Sequence, residues 1–150
     1  MRIGLFQPDI AQNAASIIRL GACLGVAVDI IEPCGFVFAD KGFRRAGMDY
    51  LERAEVIRHT SWETYLRDRP PGRIVLLTTR ASEPYTAFAF RPGDTLLLGR
   101  ESAGVPDEIH ARADARLLIP LRPGLRSINV AQAGAMVLGE ALRQTNGFPA

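Results

Sequence analysis

Residues 117–142 read LLIPLRPGLRSINVAQAGAMVLGEAL, an apolar run that breaks into a loop with two prolines and resumes as an apolar helix. A connection between a strand and a helix usually takes about two to six residues. This loop is longer, and it carries Ser127 and Asn129 where the helix begins. The extra length predicts that the connection does more than join two elements.

The same succession of apolar runs and amphipathic segments extends along the whole chain. Predicted strands span residues 2–6, 26–31, 53–59, 74–79, 95–98 and 116–119, and predicted helices span residues 11–24, 60–69, 106–113 and 128–144. Thr60 and Glu63 have the spacing of a capping box at the start of the second helix. Strands that alternate with helices indicate one α/β domain over residues 1–150, with a mostly parallel sheet and helices on both faces.

Composition narrows the protein class. A chain of 150 residues is long enough to bury about two thirds of its unfolded surface without disulfides or metals. The pattern shows neither a signal peptide nor a membrane span, so a soluble, cytoplasmic protein is expected. Cys23 and Cys34 lack a metal-binding spacing and are expected to be free thiols, with a bridge between them as the alternative.

Arginine dominates the basic residues, with 17 arginines and the single Lys41 at a net charge of +2. The planar guanidinium suits phosphate, although GC-rich codon usage explains the same total. Local clusters are more informative. Arg44 with Arg45, and Arg122 with Arg126, indicate contact with a polyanion.

The loop after the strand at residues 95–98 reads GRESAGVP. Its two glycines match the outline of a phosphate loop, but the lysine and hydroxyl residue that should follow are missing. The glycines therefore either let backbone approach a flat ligand or permit positive φ in a turn. Hydrolytic and metal chemistry are poorly supported, because the G-x-S-x-G motif is absent and the only histidines, His59 and His110, sit apart without a ligand pattern. Both histidines read as surface or helix-packing residues, and Glu101 and the other carboxylates form no evident pair for glycosidic acid/base work.

Three segments, taken in order and spacing, resemble the motifs of SpoU-type RNA ribose 2′-O-methyltransferases of the SPOUT superfamily. They are NAASIIR at residues 13–19, GRESAGVP at residues 99–106, and residues 119–131, which run from IP to SINVA. Residues 2–10, 30–36, 44–50 and 140–144 are in addition similar to the compact branch that methylates the wobble nucleotide of tRNA, a cytidine or uridine. The resemblance covers nearly the whole chain.

This resemblance implies a C-terminal trefoil knot that binds S-adenosylmethionine and a reaction at the ribose of the tRNA wobble nucleotide. By position, the implied cofactor-binding residues are Leu77, Gly99, Ile119 and Ser127. The implied catalytic residues are Arg19, Asn13, Glu101, Ser127 and Asn129. The implied RNA-binding residues are Arg19, Arg44, Arg45 and Arg126, and no metal is implied.

The resemblance places Arg19 at the ribose hydroxyl as proton acceptor or activator. Because a guanidinium pKa exceeds about 12, we expect Arg19 to hold a phosphate and polarise the hydroxyl, which leaves the proton acceptor open. The sequence departs from the family pattern at Ala14, Ala15 and Arg100. These departures affect the geometry around Asn13 more than the reaction class.

The resemblance also implies a homodimer in which Arg19 of one subunit reaches the cofactor of the other. The small residues of the last helix then form a close-packing face, with buried core as the alternative. They are Ala131, Ala133, Gly134, Ala135 and Gly139. Two other hypotheses stay open. One is a non-catalytic RNA-binding module that keeps the fold, indicated by Ala14 and Ala15, and the other is a different nucleotide-binding α/β enzyme, indicated by architecture alone.

Overall fold

The computed structural model of the chain describes residues 1–38, 50 and 52–150. The predicted RNA contacts Arg44 and Arg45 lie outside these residues. The strands are β1 (Arg2–Phe6), β2 (Ala27–Ile31), β3 (Val56–His59), β4 (Ile74–Leu77), β5 (Glu83–Pro84), β6 (Thr95–Leu98) and β7 (Ala115–Leu118). The α-helices are α1 (Ala11–Leu24), α2 (Trp62–Asp68), α3 (Asp107–Arg112) and α4 (Val130–Thr145), and Tyr85–Ala87 forms a 3₁₀ turn.

The strands form one seven-stranded sheet in the order β3-β2-β1-β6-β4-β7-β5, with every adjacent pair parallel. Strand β1 lies between β2 and β6, so that Arg2 is in register with both Ala27 and Thr95. The predicted parallel α/β architecture is confirmed. The carboxyl ends of β6, β4 and β7 are neighbours, which brings the loops that follow them to one edge of the sheet.

Helices cover both faces because side chains alternate along each strand. Ile3 and Leu5 of β1 face α1 and α4 in one buried cluster, whereas Phe6 faces α2 and α3 in the other. The continuous apolar runs of β4 and β6 supply both clusters. Burial on both faces explains why these strands lack an alternating polar pattern.

Local signals misplaced two helix starts and missed a strand. Ser61, not Thr60, caps α2, because the Ser61 hydroxyl accepts a hydrogen bond from the Thr64 N–H at 3.1 Å. Asn129 caps α4, which begins at Val130 and not at the predicted residue 128. Strand β5 was not predicted, since its residues carry no apolar pattern and extend the sheet only by pairing with β7.

A buried polar group lies beneath α2. The Asp29 carboxylate accepts two hydrogen bonds from Arg2, at 2.8 and 3.0 Å, and lies 2.8 Å from the Nε2 atom of His59. The His59 ring also packs edge-on against Tyr65, with ring centres 5.1 Å apart. Of the two predicted roles for His59, helix packing is therefore correct, and the surface position is wrong.

The small residues of α4 divide between two environments. Gly134 belongs to the core, where an added Cβ would lie 3.0 Å from a methyl group of Leu98, whereas Ala135 is exposed. Met136 is also exposed, at 44 %. The buried-core alternative is therefore correct for Gly134, and the close-packing face stays a prediction for the exposed Ala135. Among the described residues, no helix is both long and apolar enough to span a membrane.

Candidate functional site

A cavity of about 850 Å³ opens at the carboxyl ends of β4, β6 and β7. Three loops surround it, at residues 78–80, 99–105 and 119–129. Its volume falls within the range of about 300 to 1,000 Å³ that is usual for small-molecule sites. The long connection between β7 and α4 therefore forms a wall of this cavity.

Eight of the predicted site residues line this cavity although they come from distant parts of the chain. They are Asn13, Leu77, Gly99, Glu101, Ile119, Arg126, Ser127 and Asn129. Arg19 is not part of the lining. It is exposed on α1, where its guanidinium lies 4.4 Å from the centre of the Tyr50 ring and donates a hydrogen bond to the Tyr50 hydroxyl at 3.3 Å.

The loop after β6 is a tight turn whose two glycines have different functions. Arg100 and Gly104 exchange two backbone hydrogen bonds, each 2.9 Å long. Gly104 adopts a φ of +61°, which favours glycine, whereas Gly99 lies so close to Gly104 that an added Cβ would be 2.7 Å from its carbonyl carbon. Gly104 is thus the turn glycine, and Gly99 permits close backbone approach within the protein itself.

Asn129 joins the start of α4 to α1. Its Oδ1 atom accepts hydrogen bonds from the backbone of Ala131 at 2.8 Å and Gln132 at 3.2 Å. Its Nδ2 group donates to Oδ1 of Asn13 at 3.0 Å. Because the capping oxygen is engaged, the Asn129 amide group has a fixed orientation toward Asn13.

Glu101 belongs to a carboxyl pair that sequence reasoning did not detect. Its Oε2 atom accepts the backbone N–H of Asp9 at 3.0 Å, and its own N–H donates to Oδ1 of Asp9 at 3.2 Å. Burial and the side-chain interaction with the Asp9 carboxyl group raise the pKa of Glu101, although the N–H bonds oppose this shift. The same side-chain interaction lowers the pKa of Asp9. The contact with Asp9 was therefore not evident from the sequence.

Other lining residues were missed by sequence reasoning. They are Ile10, Thr78, Thr79, Arg80 and His110. The Nε2 atom of His110 is buried and has no hydrogen-bond partner within the described residues. Burial and the nearby Arg80 and Arg116 lower the pKa of His110, which favours the neutral ring. For His110, the available sequence signal was Pro106, which caps α3 directly after the glycine loop.

The sequence profile of the SpoU rRNA methylase family matches residues 1–139. The chain belongs to this SpoU family. A tRNA (cytidine(34)-2′-O)-methyltransferase of Beijerinckia indica is 59 % identical to this SpoU protein over 148 residues, covering 97 % of this chain and 92 % of the relative. The Escherichia coli K12 protein of the same name is 39 % identical over 151 residues, with 99 % and 96 % coverage.

A solved structure concerned with 2-OH methylation of C/U34 on tRNA has the same fold. It superposes on this SpoU protein with a TM-score of 0.91 at 37 % identity, covering 95 % of this chain and 94 % of that one. The agreement over nearly full lengths confirms the SPOUT-type α/β fold predicted from the resemblance.

The cavity of this SpoU protein fits S-adenosylmethionine. Leu77, Leu98 and Ile119 provide apolar surface for a flat adenine, and the loops after β4, β6 and β7 offer backbone polar groups for its edges. Gly99 leaves the wall free of a side chain at the turn. Within residues 1–38, 50 and 52–150, no cluster of three metal-ligating side chains occurs.

Proposed function

We propose that this protein transfers a methyl group from S-adenosylmethionine to the 2′-oxygen of the wobble ribose, C/U34, in the anticodon loop of tRNA. The observation that carries this proposal is the convergence of three family motifs, distant in sequence, on one cavity of suitable size. The relatives named for this reaction match almost the whole chain. Cytoplasmic location follows from the tRNA substrate.

When bound, S-adenosylmethionine supplies an electrophilic methyl group, and the protein must place the ribose oxygen in line with it. The amide of Asn13 is engaged at both ends, by Glu101 at 3.3 Å and by Asn129 at 3.0 Å. Such a restrained amide maintains the shape of the cavity next to the ribose. Positioning therefore accounts for most of the catalysis in this proposal.

Arg19 has the role of binding a phosphate next to the target nucleotide and polarising the ribose hydroxyl. Its guanidinium remains protonated at neutral pH, and Tyr50 holds it by stacking and by a hydrogen bond. Arg126, which lines the cavity, is the second described RNA contact in the proposal. The acceptor of the hydroxyl proton is left unassigned.

The active unit in this proposal is a homodimer. Arg19 shares the outward face of α1 with Ser16 and Cys23, and α1 packs beside α4, whose exposed residues include Met136. Because Arg19 does not line the cavity of its own subunit, we infer that it reaches the cavity of the second one. The C-terminal segment is expected to be threaded as a trefoil knot, as in the family.

The dimer is tested by sedimentation velocity at micromolar concentration and by mixing two inactive variants, R19A and E101A. In mixed dimers, the intact Arg19 of one subunit serves the intact cavity of the other, so about a quarter of the wild-type activity should return. A monomeric mass, or no recovery on mixing, would refute action between subunits.

Methylation is tested with purified protein, S-adenosylmethionine and tRNA from cells that lack the protein. Mass spectrometry of ribonuclease fragments that contain the anticodon loop should show a 2′-O-methylated residue at position 34 with wild type and with R67A, and almost none with R19A. Arg67 is the matched control because it is an exposed arginine of α2, on the opposite face of the sheet. Absence of methylation by wild type would refute the proposal.

The alternative of a non-catalytic RNA-binding module loses its indication in the structure. Ala14 and Ala15, the departures that suggested it, are buried in the core and do not line the cavity. Calorimetric titration with S-adenosylmethionine separates the two hypotheses, since a non-catalytic module that has lost its cofactor site would release no binding heat.

A further inference from the structure

Asp9 lies between β1 and α1, outside the cavity lining, yet three hydrogen bonds attach it to the loop after β6. Two are the reciprocal backbone contacts with Glu101, at 3.0 and 3.2 Å, and the third comes from the Ser102 hydroxyl. This loop carries the family motif that forms one wall of the cavity. Asp9 therefore determines where that wall lies relative to α1.

Asp9 itself is held from behind by the segment after β2. The N–H of Gly35 donates to the Pro8 carbonyl at 3.0 Å, and a Cβ on Gly35 would lie 2.8 Å from Cβ of Asp9. The carboxyl group of Asp9 thus cannot retreat from Glu101 without moving two loops.

The two N–H bonds favour charged carboxyl groups, but two adjacent carboxylates repel each other, so the contact weakens when both groups are charged. Burial disfavours the charged form of Glu101 and raises its pKa, whereas the pKa of Asp9 is lowered. The other oxygen of Glu101, Oε1, accepts the Nδ2 group of Asn13 at 3.3 Å. A continuous set of hydrogen bonds then runs from Asp9 through Glu101 and Asn13 to Asn129.

We propose that Asp9 is a positioning residue for methyl transfer, which holds Glu101 against Asn13 through its reciprocal hydrogen bonds with Glu101 and its bond from Ser102. This inference rests on the proposed function. Asp9 does not touch the substrate or the cofactor. It keeps the loop after β6 and the start of α1, which carry two of the family motifs, at the separation that the reaction requires.

The contact between the Asp9 and Glu101 carboxyl groups is tested without activity, by ¹³C NMR titration of side-chain carboxyls in the free protein. In wild type, Glu101 should titrate above its usual range, and in D9N its pKa should fall toward the ordinary value because the neighbouring charge is gone. D68N, at an exposed carboxylate of α2, should leave Glu101 unchanged. An ordinary Glu101 titration in wild type, or no change in D9N, would overturn the proposal.

Positioning is tested by kinetics. D9A should lower kcat about ten- to a hundredfold, as expected for a small misplacement of reacting groups, while the Kd for S-adenosylmethionine measured by calorimetry stays within about twofold. Wild-type kcat should decline as pH rises through the raised pKa of Glu101, because the contact with Asp9 is lost when both groups are charged. D9N should lack this decline, and its far-UV circular dichroism and Tm show whether it is folded.

The outcomes distinguish this inference from the proposed function. If wild type methylates tRNA and D9A has the same kcat as D68A, the positioning function of Asp9 is wrong. If wild type methylates no tRNA, the proposed function fails, and the NMR titration alone upholds or overturns the contact between the two carboxyl groups.

Discussion

The replacement of Gly99 by alanine tests whether the turn after β6 sets the geometry of the cavity. The new Cβ would lie 2.7 Å from the carbonyl carbon and 2.8 Å from Cα of Gly104, where ordinary contact begins near 3.4 Å, so the turn must open by about 0.7 Å. Opening weakens the two hydrogen bonds between Arg100 and Gly104. At about 1 kcal/mol for each bond, G99A should lower the free energy of unfolding by about 2 kcal/mol.

For a chain of this length, that loss corresponds to a Tm decrease of about 4 to 8 °C in a calorimetric scan. The shift also moves the loop that carries Glu101, so kcat should fall about ten- to a hundredfold in the tRNA assay. G93A is the matched control, because a Cβ on Gly93 meets nothing within 4 Å and its φ is not positive. If G99A has the Tm and kcat of G93A, the close approach in the turn does not constrain the site.

Three further predictions concern capping, buried charge and thiol reactivity. N129A should lower stability by about 1 kcal/mol in urea unfolding through loss of the α4 cap, whereas S127A should not, and equal effects would contradict the cap assignment. D29N should cost about 2 kcal/mol in the same measurement, because Arg2 loses a charged partner, and an unchanged midpoint would contradict this. Burial and the nearby Glu32 raise the pKa of the Cys34 thiol to about 11. Iodoacetamide at pH 8 should therefore alkylate Cys34 more slowly than Cys23, the exposed thiol of α1, as measured by peptide mass spectrometry.

The sequence predicted the centres of the main strands because their apolar runs reflect burial on both faces. The ends of the strands depend on pairing that a single sequence does not contain. Leu77 is the last residue of β4 because it is in register with both Leu98 and Leu117, whereas the apolar run alone suggested an end at Thr79. Strand β5 exists only through such pairing, and no local signal marks it.

The site could be predicted in part for a similar reason. Loops after parallel strands converge at one edge of the sheet, and the family resemblance then selected residues that do line one cavity. The contact between Asp9 and Glu101 joins positions 92 residues apart, and carboxylates at such a separation give no sign of pairing. The choice of Asn129 over Ser127 as the cap likewise depends on backbone angles, since both residue types cap helices well.

The place of β6 at the centre of the sheet affects how the chain assembles during synthesis. Strands β1, β2 and β3 can pair as soon as they leave the ribosome, but the second edge of β1 waits for residues 95–98. Until then, a nascent chain exposes an unpaired strand edge, which favours association with other chains. The arrival of β6 joins the early and late parts of the sheet, and the turn with Gly99 follows it immediately. The ligand cavity thus becomes complete only after the central strand is inserted.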